Sequence, residues 1–270
     1  EYTQGRLDGI FGGCYGSYDY RDRYFHRYTD ESGNATGNFH KPWMDNAIVN
    51  FRPTYTSALA NDTTNVVGKI FGAGQGIGMD KNVGFRDQDM DKLQERSYVL
   101  INVPAAMENY KEMEVFGAGS WSGVGMNATP TEENIRRQTD KTEGTHTLDA
   151  YLDAHSTVID LISGQIGSAY GGSYEEGIAR RTLVNVPTAS TIVMNNIFGG
   201  AYGVSNDVPC DVYEANVEYH GANARVPYVY GGNNAFRRTL YGKVNIDVPV
   251  KYVSEQYGLT WSSIYGAGYG

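Results

Sequence analysis

Thr157–Gly172, TVIDLISGQIGSAYGG, is the stretch on which the reading of this chain turns. Its first half sets Thr157, Ile159 and Leu161 in alternation with Val158, Asp160 and Ile162, a period of two that suits a strand with one buried face. Its second half ends in Ala169-Tyr170-Gly171-Gly172, and that small-or-apolar, aromatic, glycine, small signature recurs. It reads Ile10-Phe11-Gly12-Gly13, Ile70-Phe71-Gly72-Ala73, Val115-Phe116-Gly117-Ala118, Ile197-Phe198-Gly199-Gly200, Val229-Tyr230-Gly231-Gly232 and Ile264-Tyr265-Gly266-Ala267.

A second element recurs between these copies: Ile101-Asn102-Val103-Pro104, Val184-Asn185-Val186-Pro187, Ile246-Asp247-Val248-Pro249 and, more loosely, Val49-Asn50-Phe51-Arg52-Pro53. The first glycines stand at 12, 72, 117, 171, 199, 231 and 266, so the steps are 60, 45, 54, 28, 32 and 35 residues. A short minimum step with irregular additions is what stacked coils with loops hung on them produce. Glycine after a strand is expected to supply a positive φ at a tight corner. The repeated Phe or Tyr is expected to pile on its neighbours in a ladder. Proline belongs at a corner because it removes a ladder donor. The competing reading is an antiparallel sandwich with glycine-rich turns.

The pattern T-x-V-x-I-x-G-G-x-I-x-x-V-[FY]-G-G, matched almost throughout by Thr157–Gly172, resembles that of large secreted and surface-displayed parallel β-helix proteins of gut Bacteroidetes. Some of these are labelled autotransporter-like adhesins or immunoglobulin A protease-like proteins. The resemblance implies an all-β fold, a right-handed parallel β-helix (a β-solenoid, pectin-lyase-like), and an extracellular or cell-surface, outer membrane-associated address. It implies no activity, because a fold does not fix a function.

Composition agrees with that class. Thirty-four glycines and 20% charged residues in 270 describe a turn-rich all-β chain. The repeats favour one domain over residues 1–270, expected to be a segment of a longer protein, with the long insertions in its N-terminal half. A net charge of −9 argues against nucleic acid, because no phosphate-neutralising surface is evident. Cys14 and Cys210 fall in different turns, beyond the reach of a disulfide in a stacked fold. No apolar run of about 18 residues is present, so no membrane span is expected in this segment.

The insertions carry the candidate sites. Residues after the first copy interleave Tyr15, Tyr18, Tyr20, Tyr24, Phe25, His26 and Tyr28 with Asp19, Arg21, Asp22, Arg23 and Arg27. This alternation predicts a hairpin standing off the coils, and Tyr18, Tyr20, Tyr24, His26 and Tyr28, with Trp121 in a later insertion, are the candidate ligand-binding residues. Tyrosine offers a rigid apolar face with a hydrogen-bonding tip. The alternative use of the same rings is packing on the flank of the coils. Asp87, Asp89 and Asp91 have the spacing of a calcium loop, but Lys92 and Tyr98 stand where that pattern needs Gly and Glu. A loop leading into a short helix at 91–95, and another helix after the Thr129 cap at Pro130–Arg137, are expected.

No His-Glu-x-x-His, Gly-x-Ser-x-Gly or Cys-x-x-Cys motif occurs. Asn50, Asn102, Asp160, Asn185 and Asp247 are expected to line one outward row, and three of these five are amides, which cannot exchange protons. The function expected is therefore non-catalytic: an adhesin or stalk presenting loops to a host glycan or surface protein, with calcium as a candidate ion. The alternatives are a polysaccharide lyase or glycoside hydrolase on the same scaffold, and a purely structural spacer.

Overall fold

The computed structural model describes residues 7–13, 17–18, 39–40, 44–54, 67–76, 92–125, 156–204, 210–234, 239–248 and 263–269. These residues form strands and turns, and no helix occurs among them. The seven aromatic-glycine copies build one sheet in chain order: β1 (Leu7–Phe11), β5 (Val67–Phe71), β7 (Glu114–Phe116), β10 (Ser168–Tyr170), β14 (Asn196–Phe198), β17 (Tyr228–Tyr230) and β19 (Ser263–Tyr265). Every neighbouring pair is parallel, and each aromatic residue faces its counterpart in register, Phe11 with Phe71 and so on to Tyr230 with Tyr265. The antiparallel sandwich is excluded by these directions.

A second parallel sheet holds the strands between the copies, β4 (Met44–Phe51), β6 (Lys92–Asn102), β9 (Thr157–Gln165), β12 (Ala179–Val186), β16 (Val212–Tyr219) and β18 (Thr239–Ile246). Two short strands join it, β8 (Gly123–Val124) beside β6 and β12, and β13 (Thr191–Val193) beside the far end of β9. A narrow third strip pairs β11 (Tyr174–Glu175) with β15 (Tyr202–Gly203). Single bridges extend it from Gln75 through Ser120 to Tyr174, and from Tyr202 through Asn234 to Tyr269. The remaining pair, β2 (Ser17–Tyr18) with β3 (Phe39–His40), is antiparallel. It brackets the Tyr-rich insertion, as a hairpin requires.

The core follows from the period of two. Val49, Val99, Ile159, Val184, Val217 and Val244 fall in one row of the second sheet, and Ile70, Val115, Ala169, Ile197 and Val229 in one row of the first. Both rows belong to a single apolar cluster. Each fully buried Val or Ile in it contributes roughly 1.5–3 kcal/mol. On the other face of the first sheet the aromatic rings stack, with centroids 4.5–5.2 Å apart and planes within 3–17°. The ladder expected from the sequence is therefore formed.

The expected reason for its glycines is not. No positive φ falls at the first glycine of any copy; among the described residues the positive-φ glycines are Gly125, Gly164 and Gly177. Close approach selects glycine instead. A Cβ at Gly12, Gly72, Gly117, Gly171, Gly199 or Gly231 would lie within 2.9 Å of the carbonyl oxygen of the next copy's first glycine. The same residues donate their N–H to the next copy's aromatic carbonyl at 2.8–2.9 Å. From the facing sheet, Ser97 Oγ, Thr157 Oγ1 and Thr182 Oγ1 donate to the carbonyls of Gly117, Gly171 and Gly199.

Two further expectations are corrected. Lys92–Glu95 belongs to β6 and not to a helix, because Lys92 and Gln94 find ladder partners in β8 while Gln94 also pairs with Met44. The Asn-Val-Pro elements are also out of register with one another: Val184 lies in the row of Val99, whereas Ile246 lies in the row of Val186. A slip of two residues keeps every side chain on its face but moves it to another row. The outward row is accordingly Asn50, Leu100, Asp160, Asn185, Glu218 and Asn245, and Asn102 and Asp247 fall outside it.

Candidate functional site

Of the sequence-derived site residues, Trp121 is the one whose side chain the structure describes. Tyr18 is placed by its backbone pairing with Phe39 in the β2–β3 ribbon. Tyr20, Tyr24, His26 and Tyr28, like Asp87, Asp89 and Asp91, lie outside the described residues, and so do Cys14 and the 130–137 segment. Among the described residues no group of three or more His, Cys, Asp or Glu is placed to hold a metal. No helix among them is long and apolar enough to cross a membrane.

Trp121 sits at a corner of the narrow strip. Its Nε1–H donates to Glu175 Oε2 at 2.6 Å, and its backbone N–H donates to the Tyr174 carbonyl at 3.2 Å. Both partners of that side-chain bond hold the left-handed backbone region, Trp121 at φ 52° and Glu175 at φ 65°. Each such residue costs on the order of 1–3 kcal/mol and persists only where its surroundings hold it. The indole–carboxylate bond joins these two half-buried side chains across the strip, beside the backbone bond from Trp121 to Tyr174.

Around this corner runs a second aromatic row that the sequence reading missed. Among the described residues it consists of the residue four places after the motif aromatic in six copies: Gln75, Ser120, Tyr174, Tyr202, Asn234 and Tyr269. Its tyrosines lie edge-on to the ring of the preceding copy, Tyr174 on Phe116, Tyr202 on Tyr170 and Tyr269 on Tyr230, at 5.1, 5.6 and 5.8 Å. Tyr174 and Tyr202 also stack on each other at 5.5 Å and 15°. The signal was present in the sequence as a tyrosine at a fixed offset, visible in four of the seven copies as Tyr15, Tyr174, Tyr202 and Tyr269.

The row is broken at Ser120 and at Asn234. At the first break the Lys69 ammonium lies 4.9 Å from the centre of the Tyr174 ring and 3.7 Å from Glu114 Oε2. A cation over a ring face and beside a carboxylate is held by both. Burial, then the Glu175 carboxylate that Tyr174 hydrogen-bonds, then the charge of Glu114, hold the Tyr174 phenol well above the usual tyrosine range. Burial and Glu114 push Tyr170 up to about 12. Both phenols are thus neutral donors at any physiological pH. The corner offers an indole edge, two carboxylates, an ammonium and a phenol, a set suited to hydrogen-bonding a polyhydroxylated or peptidic ligand.

The outward row of the second sheet offers less. Asp160 accepts from Tyr98 Oη at 2.6 Å on one oxygen and from Asn185 Nδ2 at 2.7 Å on the other. Glu218, the next carboxylate in the row, stands two strands away, roughly 10 Å, with His220 Nε2 3.5 Å from its Oε2. The separation of these two carboxylates is near the upper end of what an inverting pair uses, but Asp160 has both oxygens engaged by Tyr98 and Asn185, which leaves it poorly set to exchange a proton. Compared with protein families, curated proteins and solved structures, the chain finds no match.

Proposed function

We propose that the chain is wound as a right-handed parallel β-helix and serves as a secreted or surface-displayed, non-catalytic adhesin or stalk, offering its flanks and insertions to a host glycan or surface protein. What supports the winding is that the chain returns to the first parallel sheet in sequence order with its copies in register, and that the long strands of the second pair in sequence order from β4 to β18. The observation that carries the binding role is the Trp121–Glu175 corner. Two non-glycine residues there are kept in a costly backbone region to present an indole, carboxylates and an ammonium on one edge. A rigid rod carrying such contacts gains avidity from several weak sites at once.

Glycan-array and protein pull-down assays with the whole chain test this. Binding by the wild type that falls about tenfold in Trp121→Ala assigns the corner about 1.4 kcal/mol of recognition. The triple change of Tyr18, Tyr20 and Tyr24 to Ala assays the insertion separately. A wild-type chain that captures neither glycan nor protein defeats the adhesin reading and favours a structural spacer.

A further inference from the structure

Gly266 is the one first glycine of the seven copies for which its own chain supplies no reason. A Cβ at any of the other six would collide with the carbonyl oxygen of the next copy's first glycine, whereas a Cβ at Gly266 meets nothing within 4 Å. Its φ is not positive, so backbone freedom does not call for glycine there either. Gly266 follows β19, which is one end strand of the first sheet, and β1 is the other. Both ends leave the ladder open. Phe71, Phe116, Tyr170, Phe198 and Tyr230 are buried, but Tyr265 is 45% and Phe11 37% exposed, although each is stacked on one neighbour. Ile264 shares its row with the fully buried Ile197 and Val229 and is 45% exposed.

We propose that these two ends are complementary, and that the β19 end of one molecule takes the β1 end of a second copy as its next strand. At each of the six internal contacts the first glycine donates its N–H to the next copy's aromatic carbonyl, and the next first glycine sets its own carbonyl against the donor. Continued by one step, Gly266 donates to the Phe11 carbonyl of the second copy, and the Gly12 carbonyl fills the space that keeps residue 266 a glycine. Tyr265 then stacks on Phe11 at about 4.8 Å, and Ile264 lies beside Ile10. Each of these meetings repeats one found inside the sheet, as where Phe198 stacks on Tyr230 and Ile197 lies beside Val229. The contact needs only the parallel first sheet, and neither the winding nor the binding role proposed above. Ala47 and Val49 of β4 are already buried, so the second sheet adds little and the association is weak. Because the two surfaces differ, the contact does not close, and copies add in a line.

The test is analytical ultracentrifugation of the whole chain over a range of concentrations. The wild type is expected to associate with Kd on the order of 0.1 mM and to grow past the dimer as its concentration rises. Gly266→Ala is expected to weaken association at least about tenfold. Its urea midpoint in dilute solution should stay equal or rise, because nothing in its own chain meets the methyl and alanine restricts the unfolded state. That is the reverse of what the internal first glycines should do, and it separates a blocked end from a misfolded chain. Phe11→Asp should block the opposite end. A mixture of the two variants should form a dimer and stop there, since each retains the end that the other lacks. A wild type that stays monomeric up to about 1 mM, or that stops at a dimer, overturns the proposal. So does association unchanged in Gly266→Ala. A urea midpoint lowered in dilute Gly266→Ala overturns it as well, because the place beyond Gly266 would then be filled within a single chain.

Discussion

Gly171→Ala separates the two reasons a glycine can occupy the aromatic-glycine corner. Gly171 does not have a positive φ. If only backbone freedom were at stake, alanine would stabilise the fold by about 0.4–1 kcal/mol, by restricting the unfolded chain. The structure demands the opposite sign. The new methyl would meet the Gly199 carbonyl oxygen at less than 2.5 Å and would lie 2.9 Å from both Cβ and Oγ1 of Thr182. Ordinary contact is about 3.5 Å, so neighbouring copies must part by several tenths of an ångström or more. Overpacking of that kind costs about 1–3 kcal/mol. Parting the copies also strains the Gly171 N–H to Phe198 carbonyl bond of 2.9 Å and the Thr157 Oγ1 to Gly171 carbonyl bond of 2.6 Å, each worth about 1 kcal/mol. The expected loss is therefore about 3–5 kcal/mol, read as a lower urea midpoint at unchanged slope. A variant as stable as the wild type, or more stable, would refute the close-approach account.

Two other outcomes follow from buried groups. Arg180 is 5% exposed, and among the described residues its Nε, Nη1 and Nη2 have no hydrogen-bond partner, while its neighbour Arg181 is paired with Glu214 at 3.0 Å. Burial lowers the Arg180 pKa, the mark of a charge held at a cost. Arg180→Met is expected to stabilise the chain by about 1–4 kcal/mol in urea titration, and a destabilised variant would show that the guanidinium is satisfied after all. Stability should also fall in alkali. Tyr170 ionises near pH 10 when unfolded but at about 12 in the fold, so the unfolded chain holds fewer protons in that window. The contribution is complete below pH 10 and is lost as the pH rises toward 12; unfolding midpoints, followed with tyrosinate absorbance, should decline over that span. A flat profile there would contradict the burial of Tyr170.

What the sequence alone determined is what repetition can encode. Seven aromatic-glycine copies at irregular steps were enough to place seven parallel strands in one sheet and to stack Phe11 through Tyr265, because identical residues at identical places in successive strands must meet when those strands align. Valine and isoleucine at period two were enough to assign the core face, since that period is a property of any strand. Contacts between strands distant in the chain were decided only by the tertiary structure. The first glycine is needed because a carbonyl from the next copy occupies the space of its Cβ, and no local rule contains that oxygen. Val184-Asn185-Val186-Pro187 slips two residues against the elements that begin at Ile101 and Ile246 because side-chain burial constrains which face a residue takes, not which neighbour it meets. Trp121 was singled out as an isolated aromatic, but Glu175, 54 residues away, gives it a fixed place, and the outer row that runs from Tyr202 through Asn234 to Tyr269 exists only once the copies are superposed.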